Sequence, residues 1–324
     1  MSFWQGKKVL ITGATGFLGG WVVRQLLEQG VDIIAISRRP RPNSQFELAG
    51  FDRRTTIIRG TAEDPAVVAG AFAAHELAAV FHLASMVDVN AALREPAAAL
   101  RASIESTINL LEQIRLHQPN ALMIVASSDK AYGTQPTPFQ EDKPLEPKHP
   151  YEIAKATQDL IAQSYGRLFN LNVAITRCGN YFGGYDFAFE RIIPYTIRQI
   201  LRGQAPVLRS DGNFTRDFLY IEEAAQVHLM LAERLAADSN LRGQAFNFSH
   251  EVAVPIIGLV AQISRMMGSD LQPIIASTAQ AEIKHMRLDT TKARTQLGWQ
   301  PAVDFDAALA RTVKWYSENQ PLEF

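Results

Sequence analysis

The sequence predicts an α/β fold class, in which a doubly wound parallel sheet carries a smaller, interleaved C-terminal lobe. Short apolar runs that suit strands alternate with segments of helical periodicity as far as Thr176, and this alternation implies parallel strands joined by right-handed crossovers. A glycine-rich turn joins the first strand to the first helix, and polar residues follow the later strands. Because ligands bind at the carboxyl ends of such strands, we expect these residues to form one site.

Composition narrows the class of protein. The 324 residues allow one large or two modest domains, and 47% hydrophobic with 20% charged residues suits a globular protein with a buried core. A net charge of -1 argues against a nucleic-acid partner. The single cysteine, Cys178, excludes an internal disulfide and a cysteine-based zinc site. No signal peptide or membrane-length apolar run is apparent, so we expect a cytoplasmic protein without membrane partners or a metal.

The first strand, turn and helix occupy residues 9–26, V-L-I-T-G-A-T-G-F-L-G-G-W-V-V-R-Q-L. Gly13, Gly16 and Gly19 are spaced three apart in the turn. Glycine lets the backbone approach a pyrophosphate, and the N–H groups and dipole of the first helical turn attract its charge. The pattern predicts a dinucleotide site; the alternative is an ordinary loop that contains glycines.

The end of the second strand, residues 32–37, bears on the form of the cofactor. An acid at this position would bond the ribose 2′-hydroxyl of NAD, whereas an arginine accommodates the 2′-phosphate of NADP. Here Ser37, Arg38 and Arg39 stand without an acid. This favours NADP and leaves NAD open, and the arginines are alternatively solvated loop charges.

A pair of candidate catalytic residues follows a proline-rich loop. Tyr151 and Lys155 are four residues apart, so on a helix they share a face. A nearby ammonium depresses the pKa of a phenol, which can then take a proton from a sugar hydroxyl. Ser128, at the end of the apolar run 121–126, is a candidate third member that bonds the same substrate oxygen, or alternatively caps a turn.

In this order, the G-x-x-G-x-x-G turn, the serine-rich strand end and the Tyr-x-x-x-Lys pair resemble the extended short-chain dehydrogenase/reductases, the NAD-dependent epimerase/dehydratase family, over nearly the whole chain. The resemblance implies a Rossmann fold, a bound NAD or NADP that is regenerated each turnover, a nucleotide-sugar substrate and a homodimer. It also implies a set of cofactor-contacting residues: Gly13, Thr15, Gly16, Phe17, Leu18, Gly19, Ser37, Arg38, Asp64, Leu83, Ala84, Ser85, Tyr151 and Lys155.

Three residues among these segments have other interpretations. Asp64 matches the family position that contacts adenine, and as the residue before Pro65 it also suits a helix N-cap. His82, in an H-L-A-S segment similar to the family's H-L-A-A, is interpreted as a packed structural histidine. Asn109 matches an asparagine that the family keeps near the active site, and is alternatively a solvent-facing helix residue.

The segment S-S-D-K at 127–130 distinguishes branches of the family. Epimerases usually have small residues after the serine, whereas 4,6-dehydratases carry an Asp followed by Glu or Lys. The segment, together with residues 3–7, 179–184, 191–194 and 297–299, resembles the CDP-glucose 4,6-dehydratases, although T-R-D-F-L-Y at 215–220 is the generic family form. The resemblance makes Asp129 the acid that protonates the departing 6-hydroxyl and Lys130 a candidate C5 base.

Substrate binding and domain limits follow from the same resemblance. Asn180, Arg216 and Arg287 match the positions that contact the diphosphate, with surface salt bridges as the alternative for each arginine. We expect a dinucleotide-binding domain at 1–176 and about 216–250, and a substrate lobe at about 177–215 and 251–324. The function is expected to be NDP-hexose 4,6-dehydration; the alternatives are an NDP-sugar epimerase, a non-catalytic NADP-binding scaffold and a net reductase.

Overall fold

The computed structural model describes residues 2–85, 89–278 and 283–319. The chain divides into two compact units. The first comprises Met1–Gly133, Glu141–Arg177 and Ala224–Phe246, and the second Thr134–Gln140, Cys178–Glu223 and Asn247–Phe324. The expected division places residues 134–140 in the first unit and begins the return to it near residue 216, so the observed boundaries differ at these two places.

Seven of the strands in the described residues form one sheet. They are β1 Lys8–Thr12, β2 Asp32–Ser37, β3 Thr56–Arg59, β4 Ala79–His82, β5 Leu122–Ala126, β6 Val173–Cys178 and β11 Ala245–Phe248. The order across the sheet is β3-β2-β1-β4-β5-β6-β11, and the pairings from β3 to β6 are parallel. This is the strand order of a dinucleotide-binding Rossmann sheet, so the predicted fold class is confirmed.

The remaining strands are short and belong to the second unit. They are β7 Asn180–Phe182, β8 Val207–Leu208, β9 Thr215–Arg216, β10 Phe218–Tyr220, β12 Val254–Pro255 and β13 Ile274–Ile275. They pair as three two-stranded sheets: β10 with β7 and β13 with β8 in parallel, and β12 with β9 antiparallel.

Helices connect the strands. They are α1 Phe17–Glu28, α2 Gln45–Leu48, α3 Pro65–Ala74, α4 Val89–Arg94, α5 Pro96–His117, α6 Pro150–Leu168, α7 Ile192–Leu201, α8 Ile221–Ala237, α9 Ile256–Met266 and α10 Phe305–Glu318. Short 3-10 turns occur at Phe51–Arg54, Asp129–Tyr132 and Ser239–Leu241, with a π-helical turn at Ala293–Leu297. The Asp129–Tyr132 turn lies directly after β5, which brings it to the carboxyl edge of the sheet.

The core of the first unit lies between the sheet and the helices packed on it. Leu10, Val80, Val125 and Ile175, from four neighbouring strands, are fully buried in one cluster. Residues 110, 111 and 114 of α5 pack into the same cluster. Because strands covered on both faces carry continuous apolar runs, the sequence pattern located these strands well. Strand β6 is the exception, since it continues through Arg177 to Cys178, two residues beyond the predicted end at Thr176.

No helix in the described residues is both long enough and apolar enough to span a membrane. Among the same residues, no group of three or more His, Cys, Asp or Glu side chains is arranged to hold a metal ion.

Candidate active site

The glycine turn after β1 is so tightly packed that two of its positions exclude a side chain. Gly13 has a φ of +77°, and a Cβ there would lie 2.8 Å from the Ala84 nitrogen. A Cβ on Gly19 would lie 2.0 Å from the Gly13 carbonyl oxygen. The first contact brings the loop after β4 against the turn, and the second lets α1 start close to it. The three-residue spacing of the glycines therefore has a structural cause.

The start of α1 suits an anion. Gly16 is its N-cap with an extended backbone, and within the described residues no side chain caps the helix and no acid lies in its first turn. Thr15 and Phe17 are half-buried, whereas Leu18 is buried. The positive end of the helix dipole and the adjoining backbone N–H groups thus lie beside a turn in which Gly13 and Gly16 carry no side chain, which fits a dinucleotide pyrophosphate.

The ends of β2 and β3 lie side by side. Ser37 pairs with Arg59 in the parallel register, and the Ser37 hydroxyl donates to the Arg39 carbonyl at 3.1 Å. Arg38, Arg39 and Arg59 are all exposed. Two adjacent strand ends therefore present guanidinium groups to solvent, and the described structure pairs none of these three with a carboxylate. Asp64, one loop further on, caps α3 by accepting from the Ala66 nitrogen at 2.9 Å, so its capping interpretation is confirmed.

The loop after β4, Leu83 to Ser85, is held against the end of β1. The Leu83 nitrogen donates to the Thr12 carbonyl at 3.2 Å, and the Ala84 nitrogen donates to the Thr12 hydroxyl at 3.2 Å. These bonds fix the backbone of Leu83 and Ala84 beside Gly13. Ser85, half-buried, is the last described residue before the gap at 86–88.

His82 is a structural residue, as predicted. The Thr107 hydroxyl donates to the Ser103 carbonyl at 2.6 Å, so it accepts from His82 Nε2 at 3.1 Å; His82 Nδ1 then accepts from the Thr12 hydroxyl at 2.7 Å. This tautomer is assigned from the hydrogen-bond network. Complete burial, with a smaller contribution from the charge of Lys155, lowers the pKa of His82 to about 3. The imidazole is therefore neutral and orients the Thr12 hydroxyl toward Ala84.

Asn109 corrects an expectation. Its side-chain amide donates to the carbonyls of Ala62 and Glu63, at 3.0 Å each. These two residues belong to the loop that precedes Asp64, so Asn109 holds the loop predicted to bind adenine. Asn109 is half-buried, so its interpretation as a solvent-facing helix residue is wrong. The sequence shows that the residue lies on a helix, but it does not show that the side-chain amide donates to two carbonyls of a distant loop.

Ser128 and Asp129 open the 3-10 turn Asp129–Tyr132. The Ser128 hydroxyl accepts from the Lys130 nitrogen at 3.2 Å and donates to Asp129 Oδ1 at 3.0 Å. Ser128 and Asp129 are 8% and 3% exposed. The turn-capping alternative for Ser128 therefore holds, and the same hydroxyl also orients a buried carboxyl group. Lys130 is half-buried, and its Nζ lies 5.6 Å from the centre of the Tyr151 ring.

Tyr151 and Lys155 lie in the first turns of α6, where the expected four-residue spacing puts them on one face. Tyr151 is half-buried and Lys155 is buried. Lys155 Nζ donates to the Ala126 carbonyl at 2.6 Å and to Gln158 Oε1 at 3.1 Å. The lysine thus joins the helix to the last residue of β5, two residues before Ser128.

An unusual cap sets the start of this helix. His149 Nδ1 accepts from the Tyr151 nitrogen at 3.1 Å, while Glu152 Oε2 accepts from the His149 nitrogen at 3.1 Å, a reciprocal capping box. Burial lowers the pKa of His149; Glu152 opposes that effect and Lys130 adds to it. A neutral imidazole can serve as the acceptor, so the cap and the lowered pKa agree.

The three predicted diphosphate ligands lie in the second unit. Arg287 is exposed. Arg216 is half-buried and its Nη1 donates to the carbonyls of Thr215, Ile283 and Lys284, at 3.0, 2.9 and 3.3 Å. The Asn180 amide donates to the Asp217 carbonyl at 3.0 Å. Arg216 thus forms hydrogen bonds to backbone carbonyls of the second unit.

Asp217, which was not predicted as a site residue, bonds the chain next to Arg216 and Arg287. Its buried carboxylate accepts from the nitrogens of Phe218, Val252 and Leu288 at 2.9, 3.1 and 2.9 Å. It lies next to Arg216, and Leu288 lies next to Arg287. The sequence shows an acid in the T-R-D-F motif, but it does not show that this acid accepts from Val252 and Leu288, 35 and 71 positions away.

A second missed group is buried in the first unit. Arg177 forms two bonds to the Asp159 carboxylate, at 2.8 and 3.0 Å, and one to the Tyr132 hydroxyl at 2.9 Å. Arg177 and Asp159 are almost fully buried. No sequence signal distinguishes the group formed by Arg177, Asp159 and Tyr132. The predicted strand ends at Thr176, whereas in the structure Arg177 lies within β6.

Comparison with known proteins places these features in a family. A family model described as GDP-mannose 4,6 dehydratase matches residues 10–312. CDP-glucose 4,6-dehydratase of Salmonella typhimurium is 26% identical over 330 residues, which cover 97% of this chain and 92% of the relative.

Two crystal structures are similar along almost their whole length. UDP-glucose 4-epimerase from Thermotoga maritima, with UDP-glucose, superimposes with a TM-score of 0.87 at 25% identity, covering 96% of this chain and 99% of that chain. The dTDP-glucose 4,6-dehydratase DesIV from Streptomyces venezuelae, with NAD bound, has a TM-score of 0.86 at 26% identity and covers 97% and 98%. The match over residues 10–312, together with the Rossmann sheet and its glycine turn, shows that the chain belongs to the GDP-mannose 4,6 dehydratase family, within the extended short-chain dehydrogenase/reductases.

Proposed function

We propose that the protein is a nucleotide-sugar 4,6-dehydratase. The observation that carries this proposal is the Asp129 side chain: a buried carboxyl group, bonded to Ser128 at 3.0 Å, on the same turn as Lys130. A buried carboxyl group is suited to hold and deliver a proton. Lys130 Nζ lies 5.6 Å from the centre of the Tyr151 ring, so the turn that carries Asp129 lies close to the tyrosine.

The first step oxidises C4 of the sugar. NAD or NADP, which the glycine turn at residues 13–19 would hold, would supply the acceptor for the C4 hydride and the donor of a hydride to C6, with no net change in its oxidation state. Tyr151 takes the proton from the 4-hydroxyl, and Ser128 donates a hydrogen bond to the same oxygen. Lys155 contributes a positive charge that favours the phenolate of Tyr151.

The second step removes water. The 4-keto group acidifies the C5 proton, which Lys130 accepts as the base. Asp129 protonates the 6-hydroxyl, so that the C6–O bond breaks and water leaves. After the hydride reaches C6, a proton returns to C5. The sugar has then lost one water, and no net oxidation or reduction has occurred.

The second candidate is an NDP-sugar epimerase. The structural similarity to UDP-glucose 4-epimerase, with a TM-score of 0.87, favours it. An epimerase has no need for an acid beside the 6-hydroxyl, and the buried Asp129–Ser128 pair therefore favours the dehydratase.

A panel of sugar nucleotides distinguishes the candidates. The purified protein is incubated with CDP-, dTDP-, GDP- and UDP-hexoses, and the product mass is followed. Loss of one water supports dehydration. An isomer of unchanged mass supports epimerisation, and product formed only with stoichiometric NADPH supports a net reductase.

We propose that Arg216, Arg287 and Asn180 bind the substrate diphosphate. Guanidinium groups suit this task because they form paired bonds to phosphate oxygens. Arg287 is exposed, whereas Arg216 keeps its Nη1 on three carbonyls. Arg216 is therefore proposed to act on the diphosphate through its charge.

The adenosine end of the site favours NADP. Ser37 stands where an acid would select NAD, and exposed Arg38 follows it. Arg59, the register partner of Ser37, brings another guanidinium to the same edge of the sheet. Asp64 keeps its capping bond and is proposed to meet the adenine amino group through its other carboxylate oxygen.

We also propose a cytoplasmic homodimer that pairs through α5 and α6. These two helices pack on each other, and α6 presents an outward stripe at residues 153, 157, 160, 164 and 168. Leu160 and Leu168 in this stripe are 55% and 73% exposed, and Ile108 of α5 is 37% exposed. Apolar side chains this exposed on paired helices are typical of a contact surface.

A further inference from the structure

Residues 126–132 carry all of the proposed elimination chemistry in a short segment. It begins at the last residue of β5 and continues through Ser128, Asp129 and Lys130 to the end of the 3-10 turn at Tyr132. A 3-10 turn has few backbone bonds of its own; here they include Ala131 to Ser128 at 3.2 Å and Gly133 to Lys130 at 3.1 Å. Its position therefore depends on contacts at its two ends.

The first end is held by α6. Lys155 Nζ donates to the Ala126 carbonyl at 2.6 Å, and the side chain is buried. This contact fixes the point at which β5 gives way to Ser128.

The second end is held by a buried ionic group. The Tyr132 hydroxyl accepts from Arg177 Nη1 at 2.9 Å, and the guanidinium also lies over the Tyr132 ring, 4.9 Å from its centre. Arg177 Nη1 also reaches the Glu141 carbonyl at 3.3 Å. Tyr132 is fully buried. The hydroxyl and the ring of Tyr132 thus both link the turn to Arg177, and the hydroxyl provides the hydrogen bond.

Arg177 is itself held by α6. Asp159 binds it through both carboxylate oxygens, at 2.8 and 3.0 Å, and Gln163 donates to Asp159 Oδ1 at 2.6 Å. Burial works against the charge of Arg177, but the attraction of Asp159 outweighs it and the pKa of Arg177 is raised above its ordinary value. A bidentate pair in a dry interior has one well-defined geometry.

Asp159 follows Lys155 by one helical turn, so α6 holds the segment at both ends. We propose that Arg177 and Asp159 are positioning residues that act through Tyr132: they fix the turn so that Asp129 and Lys130 meet C6 and C5 of the sugar. This inference rests on the proposed dehydratase function. It assigns a role in the elimination step to three residues that touch neither sugar nor cofactor.

Tyr132→Phe tests the inference without opening a cavity, since only the hydroxyl is lost. Tyr165→Phe is the matched control: its hydroxyl bonds Glu112 at 2.7 Å, elsewhere on α6. Each variant is prepared with bound cofactor and mixed with the nucleotide sugar that the wild type dehydrates. We measure kcat, KM, the absorbance of the reduced nicotinamide, and hydrogen–deuterium exchange of a peptide covering residues 129–133.

We expect Tyr132→Phe to lower kcat about tenfold, because small displacements of reacting groups are costly, with KM little changed. Oxidation of C4 should outrun water loss, so reduced cofactor should accumulate, and the 129–133 peptide should exchange faster. Tyr165→Phe should behave as wild type.

Equal kcat, reduced-cofactor absorbance and exchange in the two variants would overturn the positioning role while leaving the dehydratase proposal intact. A wild-type protein that removes water from no nucleotide sugar would overturn the proposed function, and the elimination role of the three residues with it.

Discussion

Asp129 is the residue proposed to separate water loss from simple epimerisation. We predict that Asp129→Asn abolishes loss of water while C4 oxidation continues. Asparagine keeps the size of the side chain and an oxygen that accepts from Ser128, but it has no proton of suitable acidity to give to the 6-hydroxyl. Reduced cofactor should therefore accumulate when substrate is added, and its absorbance measures this directly.

Asp142→Asn is the matched control for Asp129→Asn. It makes the same change of carboxylate to amide in the proline-rich loop, and we expect it to retain wild-type turnover. Full turnover by Asp129→Asn would show that the carboxyl group is not the acid.

At the scale of elements, we propose that the paired ends of β2 and β3 select NADP over NAD. Arg38→Ala should weaken NADP binding by about tenfold to a hundredfold, the effect of losing one bond to a charged group, and should leave NAD binding nearly unchanged. Titration calorimetry of cofactor-free protein with each dinucleotide measures both affinities.

Arg24→Ala on α1 is the matched control, since Arg24 is an exposed arginine whose described contacts are an ion pair with Glu28 and the Trp21 ring. It should affect neither dinucleotide. If Arg38→Ala binds NADP as tightly as wild type, or if wild type prefers NAD, the proposed 2′-phosphate site is wrong.

Buried histidines make the elements of the first unit sensitive to acid. His82 in β4 and His228 in α8 have pKa values lowered to about 3 and about 4, mainly by burial. In the unfolded chain each histidine protonates near pH 6.5, whereas in the folded chain it stays neutral. The free energy of unfolding should therefore be unaffected above pH 6.5 and should fall below it, by about 1.4 kcal/mol per pH unit for each histidine.

Urea unfolding between pH 7 and 5 measures this slope. His228→Gln should give a shallower slope than wild type, because one titrating group is removed; carboxylates titrate in both proteins and cancel in the comparison. Identical slopes would mean that His228 is protonated in the folded protein.

Strand periodicity predicted the sheet well because each central strand is buried on both faces. The bounds of β2 match the predicted residues 32–37. The strands of the second unit are two or three residues long, which is too short for a repeating pattern to appear.

The catalytic side chains could be proposed from sequence because they lie in local motifs: Ser128 to Lys130 are consecutive, and Tyr151 and Lys155 share a helical turn. The buried group of Arg177, Asp159 and Tyr132 could not be predicted from sequence, because Asp159 and Tyr132 are 18 and 45 positions away from Arg177. A buried charge becomes interpretable only when its partner is known. Asn109 illustrates the same limit, because only the structure identifies the carbonyls that its amide meets.

At the scale of the whole molecule, the exposed stripe on α6 predicts a dimer. Leu160→Glu should dissociate it, because a carboxylate placed in an apolar contact must lose its hydration. Light scattering over a range of protein concentrations reports the mass. Leu48→Glu, the same change at an exposed leucine of α2, should remain dimeric.

A wild-type protein that is monomeric at all concentrations would contradict the dimer, and so would a Leu160→Glu variant with the mass of the wild type.

The path of the hydride tests the central claim most directly. A nucleotide sugar labelled with deuterium at C4 is converted by the enzyme, and the product is examined by NMR. The account predicts that the label moves to C6 of a product that has lost one water, since the hydride removed from C4 returns at C6. A label that remains on C4 of an isomer, or that leaves on released cofactor, would contradict it.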